Sequence, residues 1–356
     1  MFPFNTIAIY LTILLSIIGC ECRRLSEMPL IHEKSDSGPP LIVLFHGLGS
    51  DAACFSMLKQ RLERSFPDVD VIALSSVKEN NNTFLLSIKE QASQCFQDLL
   101  KETDNLRNRP TLLIGHSQGG LRAYKMLDLY RNELNIKGII TLATPWEGAP
   151  ALNLNDAWVS GLLEHPEFIE EMKAFSRALG KHDDTYLENK IKSTLESFKS
   201  GDGTPGFDDL KPESEFLARV KAALSSESIP ILAIGGAQSD FRVFLSKKRN
   251  NNFKLLRNIW TQFIMANTDH LKNDENKRHD MVVPLYSQLA SNCVSEQNKN
   301  FERYTIDDAI HDEILELPYN KKSRNILAHP DMFKTVEEFA KKVLGKCQPN
   351  NSVDAA

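Results

Sequence analysis

Residues 115–120 read Gly-His-Ser-Gln-Gly-Gly, and they constrain this chain more than any other stretch. The apolar run Thr111-Leu112-Leu113-Ile114 before them predicts a short buried strand. Leu121, Tyr124 and Leu127 after them keep helical spacing. A Gly-x-Ser-x-Gly set between a strand and a helix predicts a sharp turn with Ser117 at its apex. Gly115 and Gly119 flank the serine where side chains would collide, and Gly120 lets the helix lie against the sheet. Such a turn lifts the hydroxyl clear of the sheet and aims a helix N-terminus at it, which favours developing negative charge.

Other strands place this turn in a sheet. Residues 41–45, Leu-Ile-Val-Leu-Phe, are continuously apolar, as a strand covered on both faces must be. They run into His46-Gly47-Leu48-Gly49, where glycine lets the backbone turn an N–H toward the space above Ser117. The N–H groups of Leu48 and Gln118 are then the natural pair to hold an oxyanion, with His46, Gly47, Gly115, His116 and Gly119 shaping the turns around them. Further strands are expected at 69–74, 136–142, 229–234 and 301–306, with a helix carrying Ile88, Ala92, Cys95, Phe96 and Leu99 on one face. Strand–helix alternation predicts an α/β fold with a doubly wound, mostly parallel sheet, whose site lies at the carboxyl ends of the strands.

The alternation stops after 150. The expected organisation is a leader at 1–24, a first core segment at 38–150, a helical cap inserted at 151–228, and a second core segment at 229–346 with its own insertion at 241–279. The cap's Trp158, Leu162, Leu163, Phe168, Met172, Phe175 and Leu179 are candidates for an acyl pocket, or for packing within the cap. The second insertion mixes Arg242, Lys247, Lys248, Arg249, Lys254 and Arg257 with apolar residues, as a solvated helix face or a membrane-surface segment would.

A serine hydroxyl needs a histidine base, and the histidine needs a carboxylate. With the chain order serine, acid, histidine, Asp280 in Asp-Met-Val-Val-Pro is the first candidate acid and Asp240 its rival. His311, just past the last strand, is the candidate base. His329, immediately before the C-terminal helix, is the alternative. No His-Glu-x-x-His or paired Cys/His spacing points to a metal, and no cofactor is expected. The net charge of −5 gives no reason to expect a nucleic-acid partner.

Residues 1–19 carry no charge, and 7–18 are strongly apolar before Cys20-Glu21-Cys22-Arg23-Arg24. That length suits an export signal, and Ile-Ile-Gly-Cys at 17–20 suits a lipoprotein leader with Cys20 acylated. No Lys or Arg precedes the run, a charge order that also suits a retained membrane anchor. Export is expected, as a secreted, periplasmic or lipid-anchored protein. Cys54, Cys95, Cys293 and Cys347 then pair or stay as buried thiols. Asn81-Asn82-Thr83 and Asn350-Asn351-Ser352 are glycosylation sequons.

From Leu41 to Leu344 these features resemble the α/β-hydrolase superfamily. Thr144-Pro145-Trp146-Glu147-Gly148-Ala149-Pro150 and the segment 209–217 resemble its lipase and esterase branch. The block 46–120, with Ser-Gln-Gly-Gly after the turn, resembles palmitoyl-protein thioesterases. The resemblance implies Ser117 as nucleophile, Asp280 as acid, His311 as base, and Leu48 and Gln118 as oxyanion donors. The expected activity is hydrolysis of an ester with an apolar acyl chain. The alternatives are a thioester leaving group, a non-catalytic binding protein on the same fold, or a peripheral membrane protein acting through its basic insertion.

Overall fold

The run 41–45 has no polar position because it has no solvent face. The computed structural model describes residues 38–75, 82–153, 164–178, 185–186, 189, 202–240, 253–265, 277–312 and 325–345. In it this run is β1 (Leu41–Phe45). Leu41, Val43 and Phe45 pack into one apolar layer, and Ile42 and Leu44 into the other. All five are fully buried. Side chains alternate across a strand, so a strand sandwiched between two layers must be apolar throughout.

The chain continues through α1 (Ser56–Ser65), β2 (Asp70–Leu74), α2 (Ile88–Glu102), β3 (Pro110–His116), α3 (Gln118–Tyr130) and β4 (Asn135–Leu142). After these come α4 (Pro166–Ala178), α5 (Glu215–Leu224), β5 (Ile231–Gly236), α6 (Lys254–Ile264), β6 (Phe301–Ile306) and α7 (Pro330–Leu344). The strands form one six-stranded sheet in the order β2-β1-β3-β4-β5-β6. Every pairing is parallel. From β1 the chain steps outward to β2, then reverses and steps across to β3. Right-handed crossovers therefore put α1 on one face and α2 on the other. The apolar layers agree. Leu58 and Leu62 of α1 share a layer with Met332, Phe333, Val336 and Phe339 of α7. Ile88, Ala92, Phe96 and Leu99 of α2 share the other with Leu121, Met126 and Leu127 of α3.

The reversal lies between β1 and β3, and Phe45 stands level with Gly115 across it. A crevice opens at the carboxyl ends of the strands at such a switch point. The loops after β1 and β3 leave the sheet there, carrying His46-Gly47-Leu48 and Ser117.

Two parts of the chain differ from the expected division. Helix α5 lies within the segment read as an inserted cap, yet Leu217, Val220 and Leu224 pack into the sheet's own apolar layer. It is the crossover helix between β4 and β5, begun by the Ser214 side chain accepting from Leu217 N–H. Helix α4 turns its apolar face elsewhere, toward α6: Phe175 meets Phe253 edge-on at 5.0 Å between ring centres. Trp158, Leu162, Leu163 and Leu179 lie outside the described residues, as do the leader and Cys347. Among the described residues Cys54, Cys95 and Cys293 form no disulfide. No helix among the described residues is long and apolar enough to cross a membrane.

Candidate active site

Ser117 sits at the turn from β3 into α3 with φ 54° and ψ −128°. A non-glycine residue reaches this region only at a cost of order 1–3 kcal/mol, so the surroundings must enforce it. They do so by close approach. A side chain on Gly115 would strike the backbone of Gly119 and Gly120. One on Gly119 would strike the Phe45 carbonyl, and one on Gly120 the Thr144 hydroxyl. The Ser117 N–H donates to the Leu142 carbonyl at 2.9 Å, which fastens the turn to β4. Gln118 opens α3, so its N–H belongs to the first turn, whose donors have no partner within the helix.

The loop after β1 faces this turn. A side chain on Gly47 would come within 3.0 Å of Ser117 Cβ, which explains glycine there. His46 is buried, and its Nδ1–H donates to the Gly47 carbonyl at 2.9 Å. That carbonyl belongs to the peptide whose other end is the Leu48 N–H, so the imidazole helps to fix the direction of that donor. The Gly49 N–H donates to Thr83 Oγ1 at 2.9 Å and holds the loop from the far side.

Asp280 and His311 meet beside the serine turn. His311 Nδ1–H donates to Asp280 Oδ2 at 2.7 Å, and the His311 N–H donates to the Asp280 carbonyl at 2.8 Å. Asp280 is fully buried, and its Oδ1 accepts from Val282 N–H at 3.0 Å and Val283 N–H at 2.7 Å. This is the physical content of the Asp-x-x-Val pattern: the carboxylate is held by its own turn, with one oxygen left for the histidine. Because Nδ1 donates, Nε2 keeps its lone pair. Burial pulls the His311 pKa down, but the charge and hydrogen bond of Asp280 outweigh it and the pKa is raised above the ordinary 6.5.

Two more histidines flank this pair without a carboxylate of their own. His116 Nε2–H donates to the His311 carbonyl at 3.1 Å, with 4.8 Å between ring centres. Burial, then repulsion from His311, pushes the His116 pKa down to about 4. His279 accepts from the Met281 N–H at Nδ1 and bonds Thr261 Oγ1 through Nε2, each at 3.0 Å. Burial lowers its pKa to about 4 as well. Near neutral pH, therefore, His311 is the one of these three whose protonated form the site stabilises.

The alternative candidates lie elsewhere. His329 caps α7, accepting from the Asp331 N–H at 3.2 Å and bonding Asp308 at 3.0 Å. Asp240 closes a local turn in which its N–H donates to Gln238 Oε1 at 2.9 Å. Neither lines the cavity at Ser117.

That cavity has a volume of about 310 Å³, and Ser117, His116, His311, Gly47 and Leu48 open onto it. Its lining is mostly apolar, with Pro145, Ala149, Leu152 and Leu210 beside Trp260, Phe263, Ile264, Met281 and Val283. The segment read as a solvated or membrane-facing insertion thus supplies one wall through α6. Lys254 and Arg257 point outward, while Leu256, Ile259, Trp260, Phe263 and Ile264 are buried. Arg242, Lys247, Lys248 and Arg249 lie outside the described residues. Phe168, Met172 and Phe175 of α4 are buried but do not line the cavity. Helix α4 supports α6 instead, with Glu171 accepting from the Leu256 N–H. Sequence reasoning missed Trp260 and His279. Trp260 Nε1–H donates to the Met281 carbonyl at 2.9 Å, so α6 grips the loop that carries Asp280. The only signal was a helix with aromatic residues on one side and cations on the other.

The palmitoyl protein thioesterase family model matches residues 41–188, less than half of the chain. No curated protein matches in sequence. Among solved structures, a metagenomic carboxyl esterase is 14% identical with a TM-score of 0.47, covering 91% of this chain and 82% of its own. The naproxen esterase of Bacillus subtilis is 14% identical with a TM-score of 0.39, covering 85% and 83%. Phospholipase PlaB from Legionella pneumophila is 13% identical with a TM-score of 0.46, covering 86% of this chain and 64% of its own. At such scores these likenesses add nothing to the geometry. The parallel sheet and its strand order are those of an α/β-hydrolase fold, and the thioesterase match runs across it from β1 to α4.

Proposed function

We propose that this protein is a serine hydrolase that cleaves carboxylic esters or thioesters with an apolar acyl chain through an acyl-enzyme. The observation that carries this reading is the buried Asp280–His311 hydrogen bond of 2.7 Å, opening with Ser117 onto one apolar cavity. In the first step His311 Nε2 takes the Ser117 proton as Oγ attacks the acyl carbonyl carbon. The carbonyl oxygen becomes an oxyanion facing the N–H groups of Leu48 and Gln118. His311 then passes the proton to the departing alcohol or thiol, and Asp280 stabilises the imidazolium in between. Water enters and gives a proton to His311 as it attacks the acyl carbon; the bond to Ser117 Oγ then breaks, His311 returns the proton to Oγ, and the acid is released. The family match at 41–188 favours keeping a thioester leaving group beside the ester. Export, from the sequence of 1–24, belongs to the same proposal.

The test is turnover of p-nitrophenyl esters of rising acyl length beside the matching acyl thioesters, with a fluorophosphonate label for the nucleophile. The apolar cavity of about 310 Å³ bounds the acyl chain it can take. The expected optimum is therefore a medium chain, with labelling confined to Ser117 and lost in Ser117→Ala. Folded protein that turns over neither series and takes up no label would overturn the proposal.

A further inference from the structure

Arg122 lies in the second turn of α3 and is completely buried. Among the described residues no carboxylate pairs with it. A guanidinium without a counter-ion in a protein interior costs several kcal/mol of desolvation unless its donors are well used. Among the described residues Nη1 has no hydrogen-bond partner, while Nε and Nη2 reach the chain around the site. Nε–H donates to Gln91 Oε1 at 3.1 Å, and Nη2–H reaches the His46 carbonyl at 3.3 Å and Gln118 Oε1 at 3.4 Å. Both amides are oriented for this. Gln91 Nε2 donates to the carbonyls of Thr83 and Leu86, and Gln118 Nε2 to those of Thr83 and Gly206, so both amide oxygens are left for the arginine. Gly206 must be glycine, since a side chain there would strike the Thr83 carbonyl.

One guanidinium thus grips the two pieces of chain that present Leu48 N–H and Gln118 N–H. It holds the first through the His46 carbonyl, in the loop where His46 Nδ1–H also fixes the Gly47–Leu48 peptide. It holds the second through the Gln118 side chain. We infer that Arg122 is a positioning residue for the oxyanion site, which sets the spacing of the Leu48 and Gln118 donors and places a fixed positive charge behind them. Preorganised donors in a water-excluded site need no rearrangement as negative charge develops, and a buried cation adds to the potential they create. The inference rests on the proposed hydrolase reading, because it assigns these donors to an acyl oxyanion.

The test compares wild type with Arg122→Lys, which keeps the charge but loses the fork, and Arg122→Met, which loses both. Each is assayed well below its unfolding temperature, after its near-ultraviolet circular dichroism has been matched to wild type. Deleting an oxyanion donor outright typically costs about 10²–10³ in kcat. Misplacing both is expected to cost roughly 10- to 100-fold in Arg122→Met and less in Arg122→Lys, with KM nearly unchanged. A trifluoromethyl ketone bearing the preferred acyl chain forms a tetrahedral oxyanion on Ser117, so its inhibition should weaken in parallel with kcat. The matching alcohol, which forms none, should bind as before, and the acidic limb of the pH profile, set by His311, should not move. Equal weakening of ketone and alcohol would reduce Arg122 to a core-packing residue and overturn the inference. So would unchanged kcat in a folded Arg122→Lys and Arg122→Met. An inactive wild type would remove the hydrolase reading and this inference with it. An active wild type with unaffected variants would remove only the inference.

Discussion

Six consecutive residues, 115–120, build the serine side of the cavity, whereas its Asp280–His311 side joins residues 31 apart and leans on α6. On the serine side the geometry is enforced by what is missing. Gly115, Gly119 and Gly120 let backbone approach backbone, and the strain at Ser117 follows from that packing. On the other side the geometry is enforced by hydrogen bonds between elements. His279 ties its loop to Thr261 of α6, Trp260 ties α6 to Met281, and His116 reaches the His311 carbonyl from the serine turn. The first arrangement is local and stiff. The second is an assembly, in which the wall that would meet an acyl chain also holds the carboxylate loop. Loss of one member should therefore act differently on the two sides.

The largest effects should come from the groups proposed to react. Ser117→Ala and His311→Ala are each expected to lower kcat by roughly 10⁴- to 10⁶-fold, as single deletions from such a unit do. His329→Ala should lose no more than a few-fold, because its bonds to Asp308 and Asp331 serve the start of α7. Its cost should instead appear in stability, about 1 kcal/mol for a lost cap. Steady-state kinetics on the preferred substrate decide the matter. A His329→Ala enzyme as dead as His311→Ala would break the comparison.

Asp280→Asn comes next, and it separates charge from shape. The amide keeps one oxygen for the Val282 and Val283 N–H groups but cannot hold His311 with a negative charge. A loss of about 10⁴ in kcat is the precedent for an acid-to-amide change that leaves the wrong tautomer. The sign of the pH effect follows from the causes. In wild type Asp280 raises the His311 pKa above 6.5, so the neutral base is lost, and activity with it, as pH falls through that raised value. Without the carboxylate charge, burial is left as the dominant influence and favours the neutral ring. The acidic limb of kcat against pH should shift to lower pH in Asp280→Asn. A limb that stays in place would mean that Asp280 does not set the charge of His311.

The same contrast explains what could be read from sequence. The strands were legible because each is an apolar run closed by glycine or a turn, and the serine turn because its steric demands fall on adjacent residues. The turn at Asp280 was legible for a related reason: its carboxylate binds N–H groups two and three residues on, which leaves a local pattern. Arg122 was visible as a charge on a helix whose neighbours Leu121 and Ala123 are apolar, but its partners Gln91 and His46 come from other elements. The role of α6 was not legible at all. A basic amphipathic helix looks the same in sequence whether its apolar face meets a membrane or the wall of a cavity, and only the fold decides between them. Likewise α5 has the composition of any surface helix, and only the sheet order reveals it as a crossover.

The smallest predicted effect tests the strain directly. Ser117 and Met281 both hold positive φ, 54° and 81°, one on each side of the cavity. At Ser117 the side chain is small, so glycine should relieve the backbone at little packing cost. Ser117→Gly and Ser117→Ala both lose the hydroxyl, but only the first sheds the strain. The glycine variant should therefore be the more stable of the two by about 1 kcal/mol, after allowing for the greater freedom of glycine in the unfolded chain. Met281 is 2% exposed and forms part of the cavity wall. There the strain relieved by Met281→Gly is smaller than the burial lost, and the substitution should destabilise by roughly 1–3 kcal/mol. Denaturant unfolding of the three variants reads both signs. If Ser117→Gly is no more stable than Ser117→Ala, the serine turn stores no strain. If Met281→Gly is stabilising, the carboxylate side is strained rather than merely assembled, and the two sides of the cavity are built alike.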